Sequence, residues 1–211
     1  MKKLIYLAMA MLFSTMVVAQ NKNKFTDKKG YFAFSGGLAI PVGEFASTST
    51  ANGGLAMTGF NANLHGGYAF TPHFGLGGNI FYATYTVNSG SLGISGVTMD
   101  HWQYYGVAVG PSVGLVKKER LDWTMNLYGG FARANSPVIT YESKNTEETW
   151  ATAFTLQLGT HLRYMTSPNT FVMGGLEYTG MKPRWTSVST IGDYEQAIRG
   201  LHLSVGLGWK F

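Results

Sequence analysis

The sequence contains no cysteine. That excludes a disulfide framework and any thiolate metal or redox site, so stability has to come from secondary structure that closes on itself or from a large core. Charge is also scarce. Asp, Glu, Lys and Arg make up 13% of the residues, against about a quarter in an ordinary soluble domain. Few charges point towards a membrane, yet after residue 19 there is no run of about 18 apolar residues, so no transmembrane helix is available there. A strong charge of one sign is missing as well. The formal charge of +5 falls to +3 when the two lysines at positions 2 and 3 are set aside, which gives no argument for a nucleic-acid partner. What the chain does have is glycine, 28 residues, and aromatic residues, 14%. A chain that is charge-poor, aromatic-rich and free of long apolar runs can hide its hydrophobicity in every second residue of a strand.

The one apolar run lies at the start. Lys2 and Lys3 precede an almost unbroken apolar stretch from Leu4 to Val18, and Val17, Val18 and Ala19 then precede Gln20. This is the order of a secretory signal peptide, with cleavage expected after Ala19. The stretch is short for a spanning helix of about 20 residues, and no lipidation cysteine follows it. The expected organisation is a signal peptide over 1–19, a lead-in over 20–29 and one β domain over 30–211.

Alternation with period two marks eight segments. In the last, Leu201, Leu203, Val205, Leu207, Trp209 and Phe211 share one face, while His202, Ser204, Gly206, Gly208 and Lys210 share the other. A helix would scatter these sets, whereas a strand separates them. The same pattern is read in 31–40, 60–70, 74–86, 103–115, 121–132, 152–164 and 171–181. One face is apolar. The other is small or polar and holds Asp122, His161, Arg163, Glu177 and His202. A barrel of eight strands has an interior just wide enough to be filled by side chains, so the polar set is expected inside and the apolar set outside. Pro111 falls within a strand, where it removes a ladder donor, and a bulge there would accommodate it.

The connections alternate. Thr71–His73, Lys117–Arg120 and Thr166–Asn169 are short, whereas 41–58, 87–101, 133–150 and 182–199 are long. Short turns at one end and long loops at the other are the pattern of outer-membrane barrels, and eight strands then put both termini on the periplasmic side. Outward aromatics cluster near both ends: Tyr68, Phe70, Phe74, Trp123, Tyr164, Trp209 and Phe211 at the short turns, and Tyr82, Tyr105, Phe131 and Tyr178 nearer the long loops.

The final octet, Ser204 to Phe211, resembles the terminal signal of bacterial outer-membrane barrels. Ser204, Gly206, Trp209 and Phe211 occupy its four specified positions. The chain from residue 20 looks like the small outer-membrane β-barrel families that include the OmpA membrane domain and OmpX, and Leu38–Phe45 is similar to the Gly/Pro/Gly/Phe ending of the first strand in related barrel domains. The resemblance implies an all-β, eight-stranded, antiparallel up-and-down transmembrane barrel with a filled interior. It implies residence in the bacterial outer membrane, contact with lipid and lipopolysaccharide, and handling by periplasmic chaperones and the barrel-assembly machinery. The expected function is structural, or surface interaction through long extracellular loops, performed as a monomer without a cofactor or metal.

Two further readings attach to particular residues. His202 and Ser204 share a strand face, and an outer-membrane lipid A deacylase carries a His-x-Ser pair with a carboxylate as orienter, a place Glu177 would fill in the right register. The flanking residues do not otherwise resemble that enzyme. Arg163 and Glu177, predicted inward on adjacent strands, would form an interior ion pair with His161 beside them, since either charge alone is costly in a dry interior. A narrow channel for small solutes is the alternative use of such a lining. The five histidines, His65, His73, His101, His161 and His202, have no metal-ligand spacing. The long loops hold Tyr141, Glu142, Lys144, Glu147, Glu148 and Trp150 in one stretch, and Lys182, Arg184, Trp185, Asp193, Tyr194, Glu195 and Arg199 in another. Loops on a rigid scaffold are where binding is carried, and these residues are expected at the surface.

Overall fold

The computed structural model describes residues 28–49, 53–92, 97–141, 144–145, 149–188 and 192–211. The stretch read as a signal peptide, its cleavage point at Ala19, and the loop residues Glu142, Glu147 and Glu148 lie outside them.

Eight long strands form one closed antiparallel barrel. They are β1 (Gly30–Pro41), β2 (Ala56–Ala69), β3 (Phe74–Val87), β4 (Trp102–Lys117), β5 (Leu121–Ser136), β6 (Thr149–Met165), β7 (Thr170–Met181) and β8 (Ile198–Lys210). Each strand pairs with its neighbours in sequence, and β8 returns to β1 to close the ring. Closure uses nearly all of the C-terminal strand, from Gly200 opposite Pro41 to Lys210 opposite Tyr31. It ends in a reciprocal pair of backbone bonds, Gly30 N–H to the Phe211 carbonyl at 3.0 Å and Phe211 N–H to the Gly30 carbonyl at 2.9 Å. A closed ring leaves no unpaired strand edge, which a barrel in lipid requires.

The alternation sorts as the period-two reading expects. Phe34, Val109, Phe131 and Val205 stand outward, with Val205 74% exposed. Ala33, Ser35, Phe81, Tyr104, Tyr128 and Gln157 are buried inside. A continuous apolar outer belt around a polar and aromatic interior is the inverse of a soluble barrel, and it makes this a transmembrane one. The outward Trp123 keeps its indole N–H satisfied by bonding to Thr160 Oγ1 at 2.6 Å on the next strand.

Glycine makes the narrow interior possible. Tyr31 lies over Gly67, Tyr128 over Gly77, Tyr85 over Gly200 and Phe171 over Gly208, each a place where a Cβ would strike the ring. Large inward side chains therefore lean over strands that offer none there, the adjacent strand for Tyr31 and Phe171 and a strand across the barrel for Tyr85 and Tyr128.

Pro111 does not mark a bulge. It stands opposite Leu76 in regular register with β3. Towards β5 the pairing passes from Val109–Gly129 to Ser112–Asn126 without change of register, the intervening ladder being interrupted where Pro111 has no N–H to give. The register shift lies further on, between Gly114 and Val116. It turns Lys117 to the interior side, opposite Asp122.

The three short turns join one end of the barrel and the four long loops the other. The loops carry β-structure that the sequence reading did not find. Residues Val97–Met99, Ile139–Tyr141 and Lys144–Asn145 form a three-stranded sheet, and Arg184–Val188 pairs with Gly192–Glu195.

Candidate functional site

From the long-loop end inward, the barrel is closed by an aromatic cap. Val42 ends its extended stretch and a short 3-10 turn, Gly43–Ala46, points Phe45 down into the barrel. Gly43 enters that turn at φ +64, a left-handed conformation that glycine adopts without penalty. The Phe45 ring packs edge-on against Tyr85 at 5.0 Å and Trp102 at 5.6 Å between centroids. Trp102 meets Trp185 at 5.9 Å, and Trp185 stacks on Tyr194 at 4.8 Å with an interplanar angle of 14°. Both indoles are satisfied by backbone: Trp102 Nε1 donates to the Gly54 carbonyl at 2.8 Å and Trp185 Nε1 to the Thr149 carbonyl at 3.2 Å. Trp185, expected at the loop surface, is therefore a cap residue, 1% exposed. The long loops fold back on the barrel mouth because only there can their aromatic rings leave water.

Below the cap lies a polar layer. Tyr85 and Tyr104 hydroxyls both meet His202 Nε2 at 3.0 Å and each other at 3.2 Å. Glu177 stands opposite His202 in the strand register, its Oε1 4.0 Å from His202 Nδ1. Ser35 Oγ lies 2.9 Å from His65 Nε2, the His65 and His161 rings meet at 4.8 Å, and Asn126 lies 3.0 Å from His161 Nδ1. Ser204 is buried on the same face as His202. The hydrogen bonds of His202 Nε2 go to the two tyrosines, so the nitrogen that would act as a base on Ser204 is already engaged. Ser35 and His65 do make a serine–histidine contact, and it lies inside the closed barrel.

The expected Arg163–Glu177 ion pair is not formed. The reason is register: on β6 and β7 Arg163 faces Met173, while Glu177 faces Gly159. Four residues of offset place them roughly 13 Å apart along the strands. His161, opposite Gly175, lies at the level between them. Arg163 belongs instead to the short-turn end. Its guanidinium lies over the Tyr31 ring at 4.2 Å, donates to Thr124 Oγ1 at 3.2 Å and sits 3.8 Å from Asp122 Oδ2. The same Asp122 oxygen receives Lys210 Nζ at 3.0 Å. The partner that sequence reasoning missed for Arg163 is thus Asp122, directly opposite it across β5 and β6. The signal was present, because both belonged to the inward set near the short turns.

Outside the cap, two ion pairs fasten the loop hairpin: Lys182 to Glu195 at 2.5 Å and Arg184 to Asp193 at 3.0 Å. The Lys182 ammonium holds the Glu195 carboxyl below its ordinary range. On the outer wall, Arg133 lies over Trp150 at 5.6 Å, and Trp150 packs on Tyr105 at 5.5 Å. Among the described residues no group of three or more His, Asp or Glu side chains is placed to hold a metal ion.

No protein-family model and no curated protein matches the chain at a significant level. Solved structures do. OprG of Pseudomonas aeruginosa superposes with a TM-score of 0.58 at 13% identity, covering 90% of this chain and 99% of that one. Neisserial surface protein A gives 0.56 at 16%, covering 86% and 97%. Ail of Yersinia pestis, the attachment invasion locus protein, gives 0.50 at 20%, covering 87% and 99%. The fold is that of the small eight-stranded outer-membrane β-barrels. At these identities the likeness concerns the path of the chain, and the cap and the polar layer described above are features of this sequence.

Proposed function

We propose that the chain is an integral outer-membrane protein whose barrel acts as a rigid monomeric platform for surface interaction through its long loops. The observation that carries this reading is the division of labour along the axis. The interior is packed and capped by Phe45, Trp102 and Trp185, while the long loops carry β-structure of their own, one hairpin of it fastened by two ion pairs. A filled barrel offers solutes little passage, and an ordered loop layer on a fixed scaffold offers a partner a surface. The short turns and both termini of the barrel domain then face the periplasm and the loops face outside. The apolar outer belt contacts lipid and lipopolysaccharide, and Ser204, Gly206, Trp209 and Phe211 serve the assembly machinery, with periplasmic chaperones carrying the chain to it. Ail has been solved with the heparin analogue sucrose octasulfate, which supports the use of such a scaffold for binding.

The test has two parts. An epitope placed within 146–148 should be reached by antibody on intact cells, and the protein should fractionate with the outer membrane and migrate faster on gels unheated than heated. Recovery as a detergent-free periplasmic monomer sinks the reading. Shortening 137–148 and 182–197 while the barrel still assembles should abolish cell-surface binding, with lipid A structure and permeability unchanged. Unaltered binding, or a change in lipid A instead, sinks the loop role.

A further inference from the structure

Beneath the aromatic cap, side chains from three strands bring their lone-pair atoms to one point. Tyr85 Oη (β3) and Tyr104 Oη (β4) each stand 3.0 Å from His202 Nε2 (β8) and 3.2 Å from each other. Gly200, two residues before His202, makes room for this meeting, since a Cβ there would strike the Tyr85 hydroxyl. Hydrogen bonding cannot satisfy all of these contacts. Nε2 offers one lone pair or one hydrogen, so it serves only one of the two hydroxyls squarely. The far side of the same imidazole is bare as well. His202 Nδ1 and Glu177 Oε1 face each other at 4.0 Å, both buried and neither with a hydrogen-bond partner among the described residues. A buried polar pair left open in this way costs free energy that the packing around it does not return.

We propose that Tyr85, Tyr104 and His202 form a binding site for a ferric ion, with Glu177 as the carboxylate behind the histidine. Spacing is the first argument. Ligand atoms about 2.1 Å from a metal ion, and about 90–100° apart around it, lie about 3.0–3.2 Å from one another. The three donors already hold that separation, so an ion can take the place of the hydroxyl protons without driving the side chains apart. A metal-binding imidazole characteristically gives its other N–H to a carboxylate, which fixes the ring and strengthens the ligand. Glu177 stands where that carboxylate belongs, directly opposite His202 in the β7–β8 register. Charge selects the ion. Each phenol releases its proton as its oxygen bonds the metal. Two phenolates and one carboxylate then carry three negative charges, which a trivalent ion cancels, whereas a divalent ion would leave one charge unanswered in a dry interior. Oxygen donors joined by one imidazole suit iron in that state. Three protein ligands leave a position for water or a small anion that enters with the ion, as in open metal sites. The donors are sealed from solvent, with His202 2% exposed and both tyrosines 0%. Their stopper is the Phe45 ring, packed on Tyr85 at 5.0 Å, so the ion enters while the barrel folds or when that ring lifts.

The experiment uses the untagged protein from residue 20, refolded in octyl glucoside with ferric nitrilotriacetate and then desalted. A single ferric ion per chain is expected, with the visible absorption and resonance Raman bands of phenolate bound to iron. Tyr85→Phe and Tyr104→Phe delete only the oxygens. Each should remove much of the band and weaken retention at least about ten-fold, the loss that even an outlying partner of a metal ligand causes. Tyr128→Phe, at another buried tyrosine that lies over Gly77 nearer the short turns, should change neither. Glu177→Gln keeps the shape and removes the charge. It should loosen the ferric ion about 10–100-fold and shift the preference towards zinc, a change of selectivity that damage to the fold would not produce. Phe45→Ala should load faster when ferric nitrilotriacetate is added to the folded protein, with the same bands. Should a tyrosine variant not give a heat-modifiable barrel, the Raman bands of the unaltered protein decide alone. Iron retained without phenolate bands is adventitious and overturns the proposal, as do a failure to retain iron and equal losses in Tyr128→Phe. None of these outcomes bears on the loops, whose role is tested on cells.

Discussion

Replacing Phe45 with alanine should release the first long loop and leave the barrel standing. Phe45 is fully buried although it belongs to a loop, and the loop's other fixed points are few. Gly54 N–H bonds to the Glu44 carbonyl at 3.0 Å, Leu55 N–H to the Ser47 carbonyl at 3.1 Å, Asn88 N–H to the Leu55 carbonyl at 2.9 Å, and the Trp102 indole to the Gly54 carbonyl at 2.8 Å. Working against docking, Leu55 holds a φ of +53, a left-handed conformation that costs a branched residue about 1–2 kcal/mol. Truncating a buried phenylalanine costs about 3–5 kcal/mol, and here it removes both the Tyr85 and Trp102 ring contacts. The remaining hydrogen bonds, set against the strained leucine, are too few to offset that loss, so docking of 43–55 should approach balance. At about 1.4 kcal/mol per factor of ten, amide exchange of Ser47, Gly54 and Leu55 should accelerate roughly 10²–10³-fold, or to the unprotected limit. The assay is hydrogen exchange in micelles read by two-dimensional NMR, with Ala33, Tyr128 and Gln157 amides as barrel references. Unchanged loop protection would refute the claim that the cap holds the loop. Equal acceleration in the reference strands would refute its independence from the barrel.

Two substitutions test the barrel itself. Val205→Arg, near the middle of β8 on the outer belt, should destabilise the protein in lipid by about 2–4 kcal/mol, whereas Phe131→Arg near the long-loop end should cost about 0–1 kcal/mol. Urea titration in liposomes checks this, and equal costs would contradict the assigned belt. Gly37→Ala would drive its Cβ into the Leu203 carbonyl where β1 meets β8, and should lose at least about 1–3 kcal/mol and the heat-modifiable band with it. Gly174→Ala, where a Cβ would find no atom within 4 Å, should leave both unchanged.

The sequence by itself determined the eight strands, the side of each residue and the order of turns and loops. These follow from a period of two and from chain connectivity, and both can be read without knowing what lies across the barrel. The apolar face of the last strand, from Leu201 to Phe211, could be assigned because alternation is a local property. Tertiary structure decided who meets whom. Arg163 pairs with Asp122 and not Glu177, because an offset of four residues between β6 and β7 is set by the whole ring of registers and leaves no local mark. Trp185 and Phe45, read as loop surface and strand ending, became the cap, because burial of a loop ring depends on a mouth of the right width being nearby. The lysines and the arginine at the short-turn end are likewise gathered from β4, β6, β8 and the residues before β1. Only closure of the barrel brings those elements together.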